Sequence, residues 1–241
     1  MSPVDGDGVD RDRWNAVHAR GGSALLTEIR RHTLTDALPA EVDATTIWPA
    51  WPLEVVGDAL ALRPGETLAD IACGMGDIGR WIARRAKAIV VGVDPSTAAL
   101  SRARERAAGA RATYSEGHFE ATGLSDASVD AVLVVDALQF ASDEAATLRE
   151  LARILRPGRR LVVVGPEPPG RTWSVDELRV VSRTETDDWR ARIESFGELL
   201  RARRDDLVRD FGEKEADELI ARPASQVATT QWHGMVVAER R

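Results

Sequence analysis

Thr67-Leu-Ala-Asp70-Ile-Ala-Cys73-Gly74-Met-Gly76-Asp-Ile-Gly79-Arg-Trp-Ile-Ala83 is the stretch that decides the fold. Its apolar start predicts a short strand over 67–72, its glycines a tight turn, and the residues from about Asp77 a helix. Gly74 and Gly76 carry no Cβ, so the turn can use positive φ and a ligand can approach the bare backbone. The following helix points its unpaired N–H groups at whatever occupies that turn. A nucleotide-like cofactor is the natural occupant. Two kinds compete. Gly74-x-Gly76-x-x-Gly79, with Asp94 about 20 residues beyond the turn, fits the dinucleotide fingerprint. The carboxylate of Asp70 would repel a pyrophosphate and suits a cofactor bearing an ammonium and a sulfonium.

Outward from that stretch, apolar runs and helical patterns alternate. Strands are expected over 88–93, 112–116, 129–135 and 160–165, with helices over 78–85, 97–108 and 144–155. Alternation of this kind gives βαβ units and a parallel sheet. The run over 88–93 is unbroken apolar, as in a strand buried on both faces. Ser96 is placed to cap the helix after it. Beyond Pro166–Gly170 the texture changes. A sixth strand is expected over 178–184, one long amphipathic helix over 187–209, a further helix over 213–221, and a last strand over 231–239.

Before the decisive stretch, residues 1–10 read as a disordered tail and residues 11–62 as a helical lid. One helix is expected near 12–19. A second, capped by Ser23, has Leu25, Leu26 and Ile29 on one side. The prolines at 49 and 52 forbid a continuous helix through Ile47–Leu53. Arg63-Pro64-Gly65 stops the helix over 53–62. Residues 63–241 form the main domain, with the helical segment 187–221 ahead of its last strand.

The chain has 241 residues, 44% of them apolar, enough for one α/β domain with a cap. A net charge of −7 and a pI near 5.3 argue against broad nucleic-acid affinity. Lysine occurs only as Lys87 and Lys214, so the positive charge is nearly all arginine. Cys73, the single cysteine, excludes an internal disulfide and a cysteine-rich zinc cluster, and it reads as packing in the turn. No apolar run reaches 18 residues and the first residues are acidic, so a cytoplasmic protein without a membrane segment is expected. No clustered ligand spacing suggests a metal.

Four further motifs accompany the glycine turn: Val93-Asp94-Pro95-Ser96, then Phe119-Glu120-Ala121-Thr122-Gly123-Leu124, then Val135-Asp136-Ala137-Leu138-Gln139-Phe140, and finally Leu148-Arg-Glu150 through Pro157-Gly158. In this order and spacing the chain, from about residue 62 onward, resembles the type 11 branch of the class I S-adenosylmethionine-dependent methyltransferases. That resemblance implies a Rossmann-like sheet of seven mostly parallel strands with a final antiparallel strand and helices on both faces. The implied cofactor is S-adenosylmethionine, with S-adenosylhomocysteine as product. The implied acceptor is a small metabolite or natural product, most simply methylated on oxygen, and the protein is expected as a monomer or homodimer.

Residue by residue, Asp94 is expected to accept both ribose hydroxyls, unless it is a plain loop acid. Asp70 is expected to favour the methionyl ammonium, directly or through water, or else to cap a helix. Ala72, Cys73, Gly74 and Gly76 offer backbone to the methionyl side, with Pro95 beside the ribose. His118 and Phe119 meet adenine, and Asp136 closes over the donor. Relatives usually carry an acid where His118 stands. A neutral imidazole can accept in its place, or His118 can face substrate or solvent.

For catalysis, His233 and His118 are the candidate bases, since a near-neutral pKa suits proton transfer. The alternative for His233 is packing at a strand end. His18 and His32 fall in the lid and read as surface residues. Gln139 can orient a hydroxyl but cannot take its proton. Trp14, Trp48, Trp51 and Trp173, with Phe140, are candidates for an aromatic wall. Two other functional classes remain open: a non-methylating cyclase or binding protein on this scaffold, and an NAD(P)-linked oxidoreductase.

Overall fold

The computed structural model describes residues 14–15, 23–43, 45–46, 48–167, 173 and 175–241. The tail expected over 1–10, most of the helix expected near 12–19 and His18 lie outside the described residues. One sheet is built from β1 (Thr67–Ile71), β2 (Ile89–Asp94), β3 (Ala112–Glu116), β4 (Val129–Val135), β5 (Leu155–Glu167), β6 (Leu178–Glu185) and β7 (Trp232–Arg240), in the order β3-β2-β1-β4-β5-β7-β6. The first five strands pair in parallel. Strand β7 runs antiparallel to both β5 and β6, as expected of the last strand. The chain works outward from β1 to β3 and then returns to β4 beside β1. This reversal opens a crevice beyond the carboxyl ends of β1, β2 and β4.

The described helices are α1 (Ala24–Thr33), α2 (Leu53–Leu60), α3 (Asp77–Ala86), α4 (Thr97–Arg106), α5 (Glu144–Ile154), α6 (Trp189–Ala202), α7 (Arg204–Phe211) and α8 (Glu213–Thr229). Successive strand side chains point to opposite faces, and here both faces are covered. Ala69, Ile71, Val132 and Val134 bury against Leu148 and Leu151 of α5. Leu68, Leu133 and Val162 bury against Val56 and Leu60 of α2 and Ile82 of α3. A third cluster lies apart from the sheet. It joins Leu25 and Ile29 of α1 to Trp48 and to Trp189, Ile193, Phe196 and Leu200 of α6. Helix α2 thus belongs to the sheet core, whereas α1 packs with the C-terminal helices, held also by Arg192 Nε donating to the Thr33 carbonyl at 2.9 Å.

Three elements differ from expectation. Strand β5 starts at Leu155, directly after α5, and not near 160. Leu155 pairs with Val129, the register then slips, and pairing resumes at Arg160 with Ala131. The slack is a bulge in which Arg156 and Arg159 both reach Asp130, at 2.5 Å to its side chain and 2.9 Å to its carbonyl. Pro157-Gly158 lies within this bulge. The long helix expected over 187–209 breaks at Arg203 into α6 and α7, and α7 then lies along α8 with Arg204 paired to Asp217 at 2.9 Å. Helix α8 runs on through Pro223 to Thr229. A proline there forfeits one helical hydrogen bond, but its ring fills the space left by Gly197, where a Cβ would stand 3.0 Å from it.

Candidate functional site

A cavity of about 470 Å³ opens at the crevice beyond β1, β2 and β4. Gly74, Asp94, His118 and Asp136 line one side of it, and Arg30 and Phe211 of the helical cap line the other. Its size falls within the range typical of small-ligand sites.

The glycine turn is braced from beneath. Ala72, Gly74 and Gly76 all take positive φ, at 58°, 52° and 70°. A Cβ on Gly76 would stand 2.6 Å from the Tyr114 hydroxyl, and one on Gly79 would overlap Asp70 Oδ2. Arg80 stitches the underside, donating to the carbonyls of Met75 at 2.9 Å and Ala103 at 3.3 Å and to the Tyr114 hydroxyl at 3.1 Å. Neither Tyr114 nor Arg80 was singled out from the sequence. The glycine spacing is thus required by packing under the turn as well as by any ligand above it.

Asp94 ends β2 in the cavity wall. Its Oδ2 accepts from the Gly74 amide and its Oδ1 from the Ser96 amide, both at 2.8 Å. These bonds fix the carboxylate plane, and a carboxylate has lone pairs left for further donors. Ser96 caps α4 as expected, accepting from the Ala99 amide at 3.1 Å. Asn15 sits over this cap, its Oδ1 2.9 Å from Ser96 Oγ. Trp14 stands edge-on to Phe140 with ring centroids 4.9 Å apart.

Asp70 is placed differently from expectation. It lies beneath the turn, is 4% exposed and does not line the cavity. Burial, and next the charge of Asp94, push its pKa up to about 7, against a lowering by the Gly79 amide. Its Oδ2 has no hydrogen-bond partner among the described residues. Expected to favour the methionyl ammonium directly or through water, or else to cap a helix, Asp70 lies one layer below the cavity. Burial likewise raises the Cys73 thiol well above its ordinary value, with Asp70 and Asp94 adding to the effect. Cys73 lines the cavity but is no thiolate nucleophile.

His118 and Phe119 follow β3, in a turn closed by mutual backbone bonds between His118 and Ala121. Both line the cavity, and His118 Nδ1 is buried without a partner among the described residues. The motif around Glu150 explains itself here. Glu150 Oε1 accepts from the Thr122 amide at 2.9 Å and hydroxyl at 2.6 Å, while Arg153 donates to the Leu124 carbonyl at 2.7 Å. These residues staple the 118–124 loop and are not themselves in the cavity.

Asp136, just past β4, takes φ 50° and lines the cavity. Its Oδ2 accepts from the Thr46 hydroxyl, and its Oδ1 faces His233 Nε2 at 3.5 Å. His233 is fully buried, stacked on Trp48 with centroids 5.2 Å apart and planes at 9°. His233, expected as a candidate base or else a packed strand-end residue, does not line the cavity. It lies one residue behind the wall. On its far side Thr186 Oγ1 is 2.8 Å from His233 Nδ1 and accepts from the Trp51 indole at 2.7 Å. Neither His233 Nε2 nor Asp136 Oδ1 has a hydrogen-bond partner among the described residues.

Of the aromatic residues singled out, Trp14, Trp48 and Phe140 line the cavity. Trp51 is turned to Thr186, and Trp173 donates to Glu167 at 2.7 Å, outside it. His32 is exposed on α1. Sequence reasoning missed Thr46, Thr186 and the pair Arg30 and Arg222. Nothing local marks any of them, since each owes its place to a long-range contact. No helix among the described residues is long and apolar enough to cross a membrane.

Comparison with known proteins places this architecture. Residues 68–158 match the family model described as a methyltransferase domain. The 27-O-demethylrifamycin SV methyltransferase of Amycolatopsis mediterranei is 30% identical over 151 residues, 57% of this chain and 56% of that protein. The chain spans about half the length of the curated relatives it matches. Among solved structures, a SAM-dependent methyltransferase from Geobacter sulfurreducens in complex with S-adenosyl-L-homocysteine superposes with a TM-score of 0.60 at 24% identity, covering 88% of this chain and 98% of that one. The [4+2]-cyclase SpnF superposes with a TM-score of 0.70 at 17% identity, covering 95% and 94%.

Proposed function

We propose, from the match of residues 68–158 to a methyltransferase domain, that the chain transfers a methyl group from S-adenosylmethionine to an oxygen of a small organic acceptor. The observation that supports this reading best is one continuous cavity. It joins the braced Gly74–Asp94 corner to the Asp136 carboxylate under an aromatic wall.

The residues present fit this cofactor. Asp94, held by two amides, would accept from the ribose hydroxyls. Phe119 offers an apolar face to adenine, and His118 Nδ1, without a partner of its own, is ready to accept from its amino group. Ala72, Cys73, Gly74 and Gly76 present backbone to the methionyl arm, and Pro95 closes the ribose side. Bound there, S-adenosylmethionine supplies an electrophilic methyl group on a sulfonium. The protein's own work is to position the acceptor, exclude water and take a proton. Trp14, Trp48 and Phe140 make the acceptor region apolar. Asp136 is the carboxylate of the cavity wall placed to take the proton of an acceptor hydroxyl. His233 backs Asp136 from behind the wall, its Nε2 3.5 Å from Oδ1, while the Thr46 hydroxyl holds the other oxygen. Helices α1, α7 and α8 form the lid of this site.

Calorimetric titration with S-adenosylhomocysteine tests the cofactor, with micromolar binding expected. A panel of hydroxylated aromatic acceptors, read by a mass gain of one methyl group, tests the reaction. Absence of S-adenosylhomocysteine binding would sink the reading. Tight binding with no turnover on any acceptor would favour a non-methylating role such as that of the cyclase sharing the fold.

A further inference from the structure

The cap side of the cavity holds a feature that methyl transfer does not use. Arg30, in the last turn of α1, and Arg222, in α8, both line it. Their neighbour Arg31 is spent on structure, donating to the carbonyls of Ala40 at 3.0 Å and Val42 at 2.7 Å. Arg30 is not spent in this way. Its Nε is buried with no hydrogen-bond partner among the described residues. Burial is the main influence lowering its pKa, the like charge of Arg222 lowers it further, and Asp43 opposes both. Asp43 lines the cavity too, but it lies 3.5 Å from Arg106 and so is shared with a second arginine. Glu215 of α8 completes the charged groups of this wall.

A buried guanidinium N–H without an acceptor is costly, and a second guanidinium facing the same space adds repulsion. An anion between them would relieve both. We propose that the methyl acceptor carries an oxyanion, a carboxylate or a phosphate ester, and that Arg30 seats it, with Arg222 closing over it from α8. This rests on the reading of the cavity as the acceptor site. A guanidinium presents paired N–H groups that match either oxyanion in a bidentate manner. The cofactor corner of the cavity is walled by the Asp94 carboxylate, so the anion is also steered away from it.

Calorimetric titration of the full chain, saturated with S-adenosylhomocysteine, with 2-naphthoate, 2-naphthyl phosphate and neutral 2-naphthamide tests this. The charged probes are expected to bind the native protein about tenfold or more tighter than Arg30→Met, with the amide unaffected by the substitution. Whichever charged probe binds tighter identifies the oxyanion. Arg222→Gln changes an exposed residue and should retain the fold. It is expected to weaken the same probes severalfold, which keeps the test intact if Arg30→Met fails to fold. Equal affinity of charged and neutral probes, no binding of any charged probe, or charged-probe affinity unchanged in the variants overturns the proposal. S-adenosylhomocysteine binding is read separately in the same samples. Its failure would count against the methyltransferase reading, and its success with failed probes against the oxyanion seat alone.

Discussion

The two ends of the cavity are built in different ways. The cofactor corner is local: Gly74 and Asp94 are 20 residues apart and joined by one amide-to-carboxylate bond at a strand end. The acceptor end is assembled from afar. Asp136 bonds Thr46 across 90 residues, Thr186 receives Trp51 across 135, and the wall over them comes from helices near both ends of the chain. A corner made of one turn and one strand end can be kept while everything facing it changes.

The sharpest way to break that comparison is to replace a carboxylate at each end. Asp136→Asn should lower kcat by roughly a hundredfold or more, within the range usual for loss of a proton acceptor, while the S-adenosylhomocysteine affinity stays within about threefold. Asparagine tolerates the left-handed backbone that Asp136 adopts, so the fold is spared. Asp94→Ala should do the reverse. It removes a charged partner of two amides and of the cofactor, and S-adenosylhomocysteine affinity should drop by roughly a hundredfold, or about 3 kcal/mol. If Asp136→Asn weakened cofactor binding as much as Asp94→Ala, the division into two ends would be wrong.

A smaller effect is expected behind the wall. His233→Phe keeps a flat ring against Trp48 but removes the ring nitrogen 3.5 Å from Asp136. A fall in kcat of about tenfold at unchanged KM and unchanged cofactor affinity is expected, about 1.4 kcal/mol in the barrier. His233→Gln restores a polar group beside Asp136 and should recover part of the loss. Equal damage from both variants, or a fall confined to thermal stability, would leave His233 a packing residue.

The same division explains what could be read from the sequence. The glycine turn, the strand and helix alternation, Asp94 and the Ser96 cap each follow from residues within a few positions of one another, and all are where they were expected. Thr46, Thr186 and Arg30 carry no local mark, because a threonine in a loop or an arginine on a helix gains its role only when a distant segment arrives. The break at Arg203 and the passage of α8 through Pro223 are likewise decided by packing. Asp70 shows a further limit. In a parallel strand buried on both faces, alternation does not tell which face meets the ligand, so a carboxylate one layer under the turn reads like one pointing into the site.

Asp70 yields the mildest effect and the cleanest sign. Held to about 7 by burial and by Asp94, it keeps its proton in the folded protein at pH values where the unfolded chain has released it, near 3.8 and above. Between these values the folded state binds more protons, so rising pH withdraws stability, at up to about 1.4 kcal/mol per pH unit for a single group. The contribution is complete below about pH 4 and lost once pH passes 7. Asp70→Asn cannot ionise and lacks this dependence. Thermal melts at pH 5, 6, 7 and 8 should show the native Tm falling faster than that of the variant, with a difference growing by about 2–4 °C per kcal/mol for a domain of this size. Parallel curves would mean that Asp70 is ionised in the fold throughout, and would return it to the role of a charged partner for a cofactor ammonium. A steeper fall in the native protein that S-adenosylhomocysteine does not alter would keep Asp70 beneath the turn, where it braces Gly79 and leaves the cavity to Asp94.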